Sequence, residues 1–235
     1  LATWKNFYNR MTNREALQRV LSLYSKGVPA ASARLSRRHA WNKLITVRER
    51  VLTQQINKNQ KISQWCYQTV PCVDMIDVPV VECPCVPPLG MYILRSKYKL
   101  PAVMASMDKQ LFQAVMSMDG SVKYDESEWS SKKYKKGAKY TSTKIDYFIH
   151  GEYLWLTATK KPEKLTLSVL GADPIKWYQF GYCCDDQKCT DFLSLEFPVE
   201  GSMFESIVEL AALELIEGFA RRKEDVQSNS RDDVQ

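Results

Sequence analysis

Residues 145–157 read IDYFIHGEYLWLT, and the fold turns on how this stretch is read. Two runs rich in Ile, Tyr, Phe, Leu and Trp flank His150-Gly151-Glu152. Such side chains favour strands, and a glycine between two such runs predicts a hairpin. The same pattern recurs on both sides. Ala114 to Met118 leads into Asp119-Gly120 and then Ser121-Val122-Lys123-Tyr124. Asp-Gly suits the left-handed backbone of a two-residue turn, so a second hairpin is expected. Met91-Tyr92-Ile93-Leu94 is a short strand-like run after Pro87-Pro88-Leu89-Gly90. Leu165 to Leu170 alternates and stops at Gly171, two residues before Asp173-Pro174. Short strands without alternating helices, over about residues 66–182, predict an antiparallel barrel or sandwich. Ser130 to Lys139 (SSKKYKKGAK) reads as an exposed basic loop.

Both ends of the chain read as helix. Thr12-Asn13-Arg14-Glu15 is a capping box, in which the Thr hydroxyl takes an amide and the Glu reaches back. The following helix carries Ala16, Val20 and Leu23 beside Leu17, Leu21 and Tyr24, and Gly27-Val28-Pro29 is expected to end it. A longer helix is expected from about Ser32 to about Asn59. Trp41, Leu44, Ile45, Val51, Leu52 and Ile56 fall on one side of it, with Arg48 among them and Arg34 and Arg38 upstream. Aromatic and Arg residues on one face suit an interface. An amphipathic helix whose Arg48 snorkels to water is the other reading. Near the end, Ser202-Met203-Phe204-Glu205 reads as a second capping box. Phe204, Val208, Ala211, Leu215 and Phe219 form one apolar stripe behind it. Met203, Leu210 and Leu213 form another, shared with Glu214 and Glu217. A helix apolar on two sides packs on two sides, so the second stripe is an interface candidate. The tail from Glu224 to Gln235 is polar and expected to be mobile unless a partner holds it.

The expected class is therefore α+β. It comprises a basic helical region at 1–61, a central antiparallel β domain at 62–200, and an amphipathic helix with a polar tail at 201–235. Charge follows the same division. Residues 1–61 hold 13 Lys and Arg against Glu15 and Glu49, whereas residues 202–235 hold four basic and eight acidic residues. A basic surface meeting an acidic one on a partner explains this dipole, and so does a nucleic-acid-binding arm. Trp4, Phe7, Tyr8 and Trp41 lie among the basic residues, as in some single-strand binders, but no base-reading motif follows. No apolar run approaches the ~20 residues of a membrane span, and Leu1-Ala2-Thr3-Trp4-Lys5 has no signal-peptide core. A soluble protein that stays where it is made is expected.

Catalytic chemistry is not visible. There is no phosphate loop or dinucleotide fingerprint. The two histidines, His39 and His150, have no neighbouring nucleophile or acid arranged for catalysis and read as surface residues. Carboxylates sit on helix faces or in runs such as Asp125-Glu126, and none is marked as an acid–base couple. Seven cysteines, an odd number, point to reduced thiols. The nearest approach to a zinc site joins Cys83 and Cys85 to Cys184 and Cys189. Its spacing matches structural zinc sites only in part, so neither metal nor cofactor is expected.

The order of these landmarks resembles the head-to-tail connector ring proteins of crAss-like bacteriophages. The matching stretches are MTNREALQRVLSLY, RHAWNKLITVRERVLTQQINKNQ, CVDMIDVPVVECPCVPPLGMYILRSKYKLPAVM, GEYLWLTATKKPEKLTLSVLGADP and EFPVEGSMFESIVELAALELI. The run Leu94 to Pro101 and the strand leading into Asp173-Pro174 carry most of the likeness. Gly171-Ala172 departs from it, standing where a bulkier apolar or acidic pair is expected. The resemblance implies a structural virion protein assembled in the host cytoplasm. It implies copies joined in a ring that continues the DNA channel, with the portal and other neck and tail proteins as partners. Non-specific contact with passing DNA remains open, and there are no catalytic residues to carry over. Arg34, Arg38, Trp41, Arg48, Met203, Leu210 and Leu213 are the interface candidates. The alternative is a phage protein that binds DNA non-specifically through its basic N-terminal helices.

Overall fold

The computed structural model describes residues 11–25, 35–78, 92–106, 109–110, 112–128, 145–180 and 191–232. The chain divides into two compact units. Residues 1–66 and 189–235 form one unit, and residues 67–188 form the other. The C-terminal helix thus shares a core with the N-terminal helices, because each carries an apolar stripe that the others cover.

In the helical unit, α1 spans Asn13–Tyr24, α2 spans Arg37–Asn57 and α4 spans Gly201–Asp232. The expected capping box forms: the Thr12 side chain accepts from the Glu15 amide, and Glu15 accepts from the Thr12 amide at 2.8 Å. Helix α1 stops at Tyr24, before the expected stop at Gly27, which lies outside the described residues. Ser36 caps α2 by accepting from the His39 amide. The second expected capping box does not form. Helix α4 begins at Gly201, so Ser202 is already inside its first turn, and Glu205 is drawn off to an ion pair with Arg19. The helix continues to Asp232, through most of the tail expected to be mobile. Phe204, Ile207, Val208, Ala211, Ala212 and Leu215 of α4 are buried, together with Ala16, Leu17 and Val20 of α1 and Trp41, Leu44 and Leu52 of α2. Phe197 joins them, edge-on to Trp41 at 6.1 Å and to Phe204 at 6.1 Å. An antiparallel bridge, Thr12 to Glu196, ties the chain returning from the barrel to the start of α1.

The second unit is a closed barrel. Its strands are β1 (Gln68–Asp77), β2 (Tyr92–Ser96), β5 (Phe112–Ser117), β6 (Lys123–Glu126), β7 (Asp146–His150), β8 (Tyr153–Ala158) and β9 (Lys164–Val169), in the order β1-β2-β8-β7-β6-β5-β9. A two-residue pair, β3 (Ala105–Ser106) and β4 (Lys109–Gln110), stands apart. Every barrel pairing is antiparallel except β6 with β7. Closure demands that exception, since an odd number of strands cannot alternate direction all the way round.

Both expected hairpins form. His150 faces Tyr153 across Gly151 and Glu152, whose φ values of 59° and 66° make the two-residue turn type I′. At the other, Gly120 has φ 71° and Val115 pairs with Tyr124. Hydrogen bonds to Asp119 from the Ser117 hydroxyl, from the Ser121 side chain and from the Ser121 amide hold its carboxyl down at about 2.

Strand β1 was not expected, and its cause is local. Pro71 cannot donate to a ladder, which argues against a strand. The register slips between Val70 and Val73, with Cys72 at φ 61°, so Pro71 and Cys72 form a bulge. The extra residue resets the period, and Val70 and Val73 both end up buried in the core.

A short helix, α3 (Pro174–Phe180), meets the barrel end where β1 and β5 begin and β9 finishes. Asp173 accepts from the Ile175 amide at 3.0 Å and Pro174 takes the first helical position, so the dipeptide that follows the end of the strand opens a helix. The helix sends Trp177 into the barrel core, edge-on to Phe112, with its Nε1 donating to the Ala102 carbonyl at 2.9 Å. The departure at Gly171 follows from this. A Cβ there would lie 2.2 Å from Trp177 Cδ1 and 2.7 Å from Gln68 Oε1.

Two glycine substitutions separate these effects. Gly151→Ala meets no atom within 4 Å and is strained only by its φ, so it should cost about 1 kcal/mol in denaturant unfolding. Gly171→Ala forces a buried indole to move and should cost about 3 kcal/mol. Equal costs would mean that Trp177 yields freely.

Candidate interaction surfaces

The interface side expected on α2 is built differently from its sequence reading. Arg48 is fully buried between Leu44 and Leu52. Its Nε donates to the Pro198 carbonyl at 3.0 Å, and a terminal nitrogen donates to the Cys66 carbonyl at 3.3 Å. A guanidinium offers five donors in a rigid fork, and buried carbonyls without donors are costly, so this residue ties backbone inside its own unit. Trp41 is likewise buried, against Phe197. Neither residue offers surface to a neighbour, and Arg48 does not snorkel. Arg38 is exposed in the first turn of α2, and Arg34 lies outside the described residues.

Charge on the outer side of the helical unit is largely used internally. Arg14 pairs with Asp191, and Arg19 with Glu205. Lys43 and Arg50 of α2 both reach Glu214 of α4. Burial pushes the Glu214 carboxyl up, but hydrogen bonds from Lys43 and Arg50 and their charges outweigh it, leaving it below its ordinary value. Met203 is half-buried, its Sδ accepting from Gln55 Nε2.

The face of α4 turned away from this core is a different surface. Leu210, Leu213 and Ile216 are 39%, 54% and 38% exposed. Their i, i+3, i+6 spacing makes one continuous aliphatic ridge. Leu210 and Leu213 were expected there. Ile216 was missed, although the same three-residue step points to it.

Cys83, Cys85, Cys184 and Cys189 lie outside the described residues, as does the basic stretch from Ser130 to Lys139. Among the described residues, no group of His, Cys, Asp and Glu could hold a metal ion. Cys66 is a free thiol whose pKa is raised by burial. Cys72, in the β1 bulge, is disulfide-bonded, against the expectation of reduced thiols throughout. His39 and His150 are both exposed. No described helix is long and apolar enough to cross a membrane.

The described residues thus define a protein of packing surfaces: a helical unit with one unused aliphatic face, and a closed, side-chain-filled barrel. The chain belongs to the phage tail ring protein 2 family of crAss-like phages, whose profile matches residues 15–234. No curated protein matches it.

The Glu214 clamp gives a pH prediction. Its folded pKa lies below the unfolded value, near 4.5, so its contribution is complete above that pH and is lost as pH falls through the folded value. Melting followed by helical circular dichroism should show the helical unit weakening as pH drops below about 4.5. Glu214→Gln should be less stable at neutral pH and flatter across that range. An identical pH profile in wild type and variant would contradict the clamp.

Proposed function

We propose that this chain is a non-enzymatic virion subunit whose copies close into a ring in the connector between portal and tail. The ring continues the DNA channel and is built in the host cytoplasm. The observation that carries the reading is the aliphatic ridge of α4 in a chain of a tail ring family. A helix whose first face fills its own core, and whose second stays apolar and exposed, is suited to contact between subunits. Arg34, Arg38, Met203, Leu210 and Leu213 remain candidates for that contact. A closed ring needs heterologous contacts, in which each copy presents two different surfaces. The portal and neighbouring neck and tail proteins would meet the ring's two rims. Contact with passing DNA is non-specific in this reading, because no base-reading motif is present. The channel position follows from the ring reading and stands or falls with it.

Electron microscopy of the purified full-length chain tests this reading. Closed rings of uniform diameter are expected, alone or with the portal protein. A small monomer at high concentration that forms no ring with the portal would contradict it.

A further inference from the structure

Among the described residues, the charges that the ion pairs of the helical unit leave over include two complementary sets. Arg14, Arg19, Lys43 and Arg50 all meet carboxylates of their own unit. Arg37 and Arg38 are exposed and meet none among the described residues. They occupy the first turn of a 21-residue helix that has no acidic residue there. The helix dipole is positive at that end, so two cations are unfavourable and a carboxylate arriving from elsewhere would be stabilised twice over. On α4, Glu209 and Glu217 are exposed and likewise meet no cation among the described residues. They stand four residues before and four after Leu213, so the centre of the aliphatic ridge is flanked by carboxylates along one line of the helix.

We propose that the Leu210–Leu213–Ile216 ridge of α4 seats against a second copy of this chain, with Glu209 and Glu217 meeting Arg37 and Arg38 of that copy's α2. The proposal rests on the ring reading above and specifies its joint. A ridge at three-residue spacing fits the groove between side chains of another helix. Pairing two α4 ridges face to face would set the carboxylates of one copy against those of the other. That repulsion disfavours a two-fold dimer through α4 alone. Matching α4 to the basic end of α2 leaves each copy with one donor and one acceptor surface, as a ring requires. The aliphatic contact supplies affinity, and the charges fix which surface is chosen.

The test uses the full-length chain, with self-association read by sedimentation velocity and folding checked by circular dichroism. Leu213→Asp should weaken association by about tenfold or more while leaving the melt nearly unchanged, because Leu213 is 54% exposed and is not part of the buried core. Glu209→Arg with Glu217→Arg should weaken association, and so should Arg37→Glu with Arg38→Glu. Combining the four changes should restore most of it. Undiminished association in folded Leu213→Asp, or no rescue in the fourfold variant, would overturn the proposal and leave the ring reading standing if rings persist. A wild-type chain that never self-associates would overturn both. Normal self-association of Leu213→Asp with loss of the protein from virions would show that the ridge meets a different protein, which also overturns the proposal.

Discussion

A single guanidinium sits where the helical unit must be held together. Arg48 reaches the carbonyl of Cys66, the last residue of this unit before the chain enters the barrel, and that of Pro198, just before α4 begins. The barrel is an insertion in the sequence of the helical unit, so the segments on either side of it must be fixed against α2 from within. Backbone at such crossings has no regular ladder to join. A buried carbonyl without a donor costs about 1–3 kcal/mol, which makes a long, forked, always charged side chain a suitable tie. With the crossings held, Phe197 lies between Trp41 and Phe204, and α4 starts in register with its buried stripe facing inward.

That arrangement decides which surface is left for other molecules. Helix α4 uses one face for the core and places Glu214 between Lys43 and Arg50. Once those charges are engaged, the basic excess of the first 61 residues is no longer a uniform positive field. Among the described residues of that stretch, the exposed cations that meet no carboxylate are Arg37, Arg38, Lys58 and Lys61, of which Arg37 and Arg38 lie side by side. A chain arranged this way is better suited to selecting a matching protein surface than to coating a polyanion, because steering by an extended field needs charges that are not already paired.

Much of the barrel was legible in the sequence, because its turns are local chemistry. Gly120 in one hairpin and Gly151-Glu152 in the other adopt the left-handed backbone their turns demand. The α1 capping box was legible for the same reason. Features that depend on distant partners were not. Arg48 reads as an outward arginine because the carbonyls it serves lie 18 and 150 residues away. Strand β1 hides behind Pro71 and a bulge that breaks the two-residue period. Helix α3 hides in a dipeptide that serves equally as a turn. The reason for Gly171 lies six residues on, where Trp177 occupies the space a side chain would take. On the exposed face of α4, Leu210 and Leu213 were recoverable from helical spacing alone. The burial of Trp41 and Arg48 within their own unit was not legible, because periodicity shows that residues share a face and not what covers it.

The account depends most on Arg48 being an internal tie and not a contact residue. Native-state hydrogen exchange on Arg48→Met tests this, since methionine keeps much of the volume and removes every donor. The account predicts that amides of α2 and of the buried part of α4 lose about 2 kcal/mol of protection, roughly a thirtyfold faster exchange. Protection in both helices equal to that of the wild type would contradict it.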